Sequence, residues 1–124
     1  MILQFINEQM SALDIRYEFG EWTSDIKYPY FVGEITEEPI VTESGLEEAT
    51  MLLTGFHRGN FIDLATIKNV IKQHFDPING LCATTEDGSA IAVFFDGSFY
   101  IPTGEADLKK IQINLKIKQW KGAL

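Results

Sequence analysis

Two histidines, one cysteine and a run of carboxylates are the residues of this chain whose types could do chemistry. His57 lies in Gly55-Phe56-His57-Arg58-Gly59-Asn60, where two glycines permit close backbone approach and a following helix N-terminus would attract an anion. The spacing matches neither a P-loop nor a dinucleotide fingerprint, so a capped turn between a strand and a helix is the favoured reading. A small-ligand or catalytic site using His57 and Arg58 is the alternative. His74, with Asp76 and the lone Cys82, gives no zinc-ligand pattern, and no metal or cofactor is expected. His74 reads instead as an edge histidine near a helix C-terminus. Cys82 sits in an apolar run, which predicts a buried, inert thiol without an internal disulfide and fits a reducing compartment. Glu47 and Glu48 beside Glu43 could form a carboxylate pair for metal-assisted or glycosidic chemistry, but a solvated acidic face is the simpler account. No Ser, His and Asp constellation is suggested, and the chain is not expected to be an enzyme.

The elements that would position these residues are legible as periodicities. Ile2, Leu3, Phe5, Ile6, Met10 and Leu13 recur at helical spacing, which predicts a first helix ending near Leu13 or Asp14. Ile15 to Trp22 then alternates as a strand, and Tyr28 to Ile35 as a second, with Pro29 at its start. Leu46 to Phe56 reads as a strand, with a helix over 46–53 as competitor because Leu-Glu-Glu-Ala-Thr-Met-Leu-Leu has good helical propensity. The charged stretch between these strands predicts a long hairpin or protruding arm around 34–50. Asn60 offers a helix N-cap with Asp63 at the reciprocal capping-box position, and Leu64, Ile67, Val70, Ile71 and Phe75 mark the apolar stripe of a second helix that Asp76-Pro77 ends. Leu81 to Thr85, Ser89 to Phe95 and Ser98 to Ile101 read as short strands, the last two joined by an Asp96-Gly97 hairpin turn. Lys110 to Lys118 alternates without a break, the mark of a half-buried antiparallel strand running on to Trp120. The order helix, strands, helix, strands predicts one α+β domain: a two-layer sandwich, mainly antiparallel, with both helices on one face of the sheet.

At 124 residues the chain is large enough for one core without staples. Its start lacks the features of a signal peptide and no stretch is apolar enough to span a membrane, so a soluble, cytoplasmic, unsecreted protein is expected. The net charge of −8 is unevenly placed. Residues 1–50 hold eleven acids against Arg16 and Lys27, whereas residues 105–124 hold five lysines against Glu105 and Asp107. So acidic a field opposes nucleic-acid binding, including stacking on the aromatics Tyr28, Tyr30, Phe31, Phe94, Phe95, Phe99 and Tyr100, which are expected to fill the core and cross-strand pairs. It permits either plain solubility or head-to-tail association of unlike surfaces.

Met1 to Leu13, Gly59-Asn60-Phe61-Ile62-Asp63-Leu64 leading into the second helix, and Leu108 to Trp120 give a layout that resembles small phage tail terminator or tail completion proteins, also called head-to-tail joining proteins. The resemblance implies a two-layer α+β domain and a structural role. Such proteins form a ring, typically hexameric, that caps the tail tube and offers a surface to head-connector proteins. The implied location is the host cytoplasm during assembly and then the virion tail. Within that frame Glu34, Glu37, Glu38, Glu43, Glu47 and Glu48 are expected at a subunit contact or lumen, with Lys116, Lys118 and Lys121 on a complementary surface. A small acidic binding or inhibitor protein for a basic partner is the other reading of the charge.

Overall fold

In the computed structural model residues 2–38, 46–84 and 88–120 are described. Helix α1, Ile2–Ala12, buries Ile6 and Met10, one helical turn apart. It ends where Ile15 N–H bonds Met10 O and Asp14 N–H bonds Ser11 O, both at 3.0 Å, with Asp14 in the left-handed region at φ 57°. This is a Schellman stop with aspartate where glycine is usual, tolerable because Asp carries a small left-handed penalty.

Strands β1 (Tyr17–Phe19), β2 (Tyr30–Glu38) and β3 (Leu46–Arg58) follow, then helix α2 (Phe61–His74) and strands β4 (Leu81–Thr84), β5 (Ala90–Ile101) and β6 (Leu108–Trp120). They form a curled, mixed six-stranded sheet in the order β1-β2-β3-β6-β5-β4, and the fold is α+β. The sheet order is palindromic: each half of the chain supplies a helix and three strands, and the halves join along β3 and β6 over thirteen paired positions. Four of the pairings are antiparallel, while β1 lies parallel to β2. The strand expected over Ile15 to Trp22 thus shrinks to three residues.

Alternation governs what is buried. Ile111, Ile113, Leu115 and Ile117 of β6 are fully buried, as are Met51 and Leu53 of β3. With Phe31, Ile91, Val93 and Phe95 they form one core with Ile6 and Met10 of α1 and Leu64 and Ile71 of α2. The competition over 46–53 is resolved as strand, because β3 pairs with β2 on one side and β6 on the other and its burial alternates. Two ladders and a shared core outweigh the modest helical preference of its residues.

Close approach of an aromatic ring on the neighbouring strand requires glycine at two positions of the described sheet. The ring of Phe31 lies over Gly55 on the neighbouring strand, where an added Cβ would sit 2.4 Å from the ring, and Tyr17 covers Gly33 in the same way. Each aromatic occupies the space that a side chain on the next strand would need.

Two expectations are corrected. Asp96-Gly97 is no hairpin turn but a bulge inside β5: Phe95 faces Leu115 and Ser98 faces Ile113, so β5 holds one extra residue. Both flanks pair with β6, and Gly97 at φ 118° accommodates the kink. Cys82 is exposed rather than buried, because on the short strand β4 it takes the outward position while Leu81 and Ala83 face the core. In the long hairpin or arm expected around 34–50, Glu34–Glu38 pair antiparallel with residues of β3, whose first residues pair in turn with β6. Its tip, with Glu43, lies outside the described residues, as does Lys121.

Candidate functional site

Asn60 caps α2 as its position predicts, with its side-chain oxygen accepting from Asp63 N–H at 3.1 Å. The carboxylate of Asp63, expected to complete the capping box, instead lies against His57, its Oδ2 2.9 Å from His57 Nε2. His57 is nearly enclosed at the end of β3, and its Nδ1 is buried with no partner among the described residues. Arg58, the next residue along the strand, faces the other side. There it ion-pairs with Asp107 at 2.7 Å and Glu105 at 3.6 Å. Its Nε donates to Tyr28 Oη at 3.3 Å, and its guanidinium lies 5.5 Å from the Tyr28 ring. These hydrogen bonds, to Tyr28 and then Asp107, raise the pKa of Arg58, and the bond from Arg58 holds the Asp107 carboxyl below its usual value. His57 and Arg58 therefore do not converge on one substrate position, because neighbouring residues of a strand point to opposite faces.

The same rule separates Glu47 from Glu48. Glu48 Oε2 lies 3.8 Å from Lys116 Nζ within the same copy, a half-exposed pair of small energetic value. Lys118 stands opposite Glu48 on β6 and holds its ammonium 5.8 Å over the Phe94 ring. Glu34 and Glu37 are exposed along β2, and Glu38 faces Glu48 in the register. The acidic residues and the lysines expected on complementary surfaces are thus, in part, cross-strand neighbours in one chain. His74 bridges the helices, its Nε2 2.7 Å from Gln9 Oε1 of α1.

Tyr28 and Tyr30, expected in core and cross-strand pairs, belong to a row of aromatic rings. Trp22 lies 4.8 Å from Tyr30, Tyr28 5.6 Å from Tyr30, and Tyr30 stacks on Phe56 at 5.2 Å. Lys110 closes the row 5.5 Å over Phe56, opposite Arg58 over Tyr28. Burial, more than the nearby Tyr28, raises the Tyr30 hydroxyl pKa. The pairing of Tyr30 with Phe56 follows from strand register, whereas Trp22 belongs to a loop whose path no periodicity records. Beyond this row, a cleft of about 190 Å³ lies between Leu13, Ile15, Phe31 and Ile67, away from His57 and Arg58. Among the described residues no group of three or more His, Cys, Asp or Glu is placed to hold a metal ion, and no helix is long and apolar enough to cross a membrane.

No protein-family model matches the chain, and no curated protein sequence is significantly similar to it.

Proposed function

We infer that the protein is a structural assembly protein of the tail terminator kind: a subunit of a ring that ends a phage tail tube and joins it to head-connector proteins. The finer architecture belongs to this reading, with two layers, both helices on one face of the sheet and the opposite face bare. The observation that carries it is the distribution of charge over that bare face. Lys110, Lys116 and Lys118 alternate along the central strand β6, whereas Glu34, level with Asn114 through Leu52 and so on the same face, is exposed out along β2. A basic centre and an acidic border on one subunit give neighbouring copies unlike surfaces to bring together, which is the geometry of heterologous, ring-forming contacts. The acidic balance of the whole chain also suits a passage that DNA must cross without sticking. Light scattering and negative-stain microscopy of the purified protein test this. Rings, or mass rising with concentration toward a closed oligomer, are the expected result. A strict monomer that instead captures one cationic protein would favour the acidic inhibitor reading, which the charge of −8 supports equally.

A further inference from the structure

The two short outer strands leave parts of the sheet's edges uncovered. At one edge, Phe31 N–H donates to Arg16 O and Gly33 O accepts from Gly20 N–H, each at 2.8 Å, so the backbone groups of these odd-numbered residues point toward β1. Antiparallel pairing with β3 continues to Glu38, and the alternation of that ladder turns the N–H and C=O of Ile35 and Glu37 the same way, past the end of β1. At the other edge β4 covers only Ala90 to Val93, and Phe95 N–H is taken by Phe75 O at 2.9 Å. Phe95 faces Leu115 and Ser98 faces Ile113, two residues apart on β6, so Ser98 and Tyr100 also turn their backbone groups outward. Among the described residues neither pair has a partner. Phe99 and Tyr100 are 49% and 41% exposed there.

We propose that these edges pair with each other between copies, the β2 edge of one subunit adding to the β5 edge of the next with Ile35 opposite Tyr100 and Glu37 opposite Ser98. This deepens the ring reading above and rests on it. Direction permits it: β2, β3, β6 and β5 are successively antiparallel, so β5 runs opposite to β2, and copies related by rotation about an axis keep that relation. Length permits it too. Residues 34–37 begin where β1 ends, and residues 98–101 lie between the bulge and the end of β5, so four residues meet four and sliding is blocked at both ends. The side chains match as well. Tyr100 comes to Ile35 and Phe99 to Thr36, two aromatic against β-branched pairs of the kind that stabilise antiparallel neighbours. The occupant is therefore a second copy, since this chain supplies both halves of the joint.

The register also fixes the shape of the assembly. Within one copy Ile35 is level with Leu115 through Met51, whereas Tyr100 is level with Ile111. Each joint steps along the strands by four residues for every four strand spacings, a tilt of roughly 35°, at the lower end of the range of closed sheets. Because the two edges differ, the contact is heterologous, and it gives a ring where the rotation between copies closes.

Glu37→Pro and Ser98→Pro each remove one outward N–H while leaving the ladder to the inner strand intact. With folding checked by circular dichroism, each variant alone is expected to lose assembly by about tenfold or more in concentration. Their equimolar mixture is expected to form a one-to-one dimer, since each retains the edge that the other lacks. Should either variant fold poorly, Thr36→Lys with Phe99→Lys places like charges across the joint, and Thr36→Lys with Phe99→Glu restores attraction. Rings that persist in both proline variants and in the double lysine variant overturn the edge pairing while leaving the ring reading standing. A variant pair in which only Glu37→Pro blocks assembly overturns it in favour of a symmetric β2 contact. A wild-type chain that stays monomeric at every concentration overturns both.

Discussion

Tyr17 is the residue whose environment makes the sharpest prediction. Its hydroxyl is buried over Gly33 with no hydrogen-bond partner among the described residues, and burial raises its pKa to about 12. The neutral phenol is therefore favoured in the folded state, so its contribution is complete below the unfolded value near 10 and is lost as pH rises through 12. Tyr17→Phe is expected to be neutral or stabilising at pH 7, by up to about 1 kcal/mol, because it removes an unpaired buried group. Thermal unfolding between pH 7 and 11 checks this, and a wild-type loss above pH 10 that Tyr17→Phe does not reduce would refute it. At the acidic end Glu18, Asp76 and Asp107 are each held below their usual values. For Glu18 the first cause is the Thr23 hydroxyl, for Asp76 the Asn79 amide and for Asp107 the Arg58 guanidinium. Depressed folded values mean stability that is present above the unfolded pKa and lost as pH falls through the folded one. Glu18→Gln, Asp76→Asn and Asp107→Asn combined should flatten the decline in melting temperature between pH 5 and pH 2, and an unchanged slope would place the acid sensitivity elsewhere.

Among the elements, β3 decides most about the fold, because it joins the two halves of the chain and lies beneath Phe31 at Gly55. Gly55→Ala is expected to destabilise the fold by about 1–3 kcal/mol through overpacking, and Phe31→Ala by about 3–5 kcal/mol through loss of a buried ring. The double substitution should cost less than the sum, since the new methyl enters the space the ring has left. Chemical denaturation of the three variants measures this, and strict additivity would show that the ring and the glycine do not share that space. The bulge at Asp96-Gly97 shows why a turn signal was misleading at this scale. Asp-Gly suits any backbone that needs a positive φ, and hairpin turns and bulges both do. Only the continuation of pairing with β6 on both flanks distinguishes them.

At the scale of the whole molecule the charge pattern and the open edges carry the functional reading. Lys118→Glu reverses a charge in the lysine row of β6 and places a carboxylate opposite Glu48, leaving both members of the Glu48–Lys116 pair in place. The expected outcome is weakened self-association with folding stability lowered by no more than about 1 kcal/mol, the cost of like charges directly opposite each other. Assembly that withstands this reversal at low and high salt would remove the lysine row from the contact. The sequence by itself determined the helices, the terminal strand and the capped start of α2, because each depends on neighbours within a few residues: Ile6 with Met10, Asn60 with Asp63, Ile111 with Ile113. It also determined the uneven charge, which is a matter of counting. Tertiary structure alone decided that His57 and Arg58 diverge, that Cys82 faces solvent, that Trp22 joins Tyr30 and Phe56, and that parts of two sheet edges stay unpaired among the described residues. Those facts depend on which strand lies beside which and on where each short neighbour stops, and pairings between residues far apart in the chain leave no local period to read.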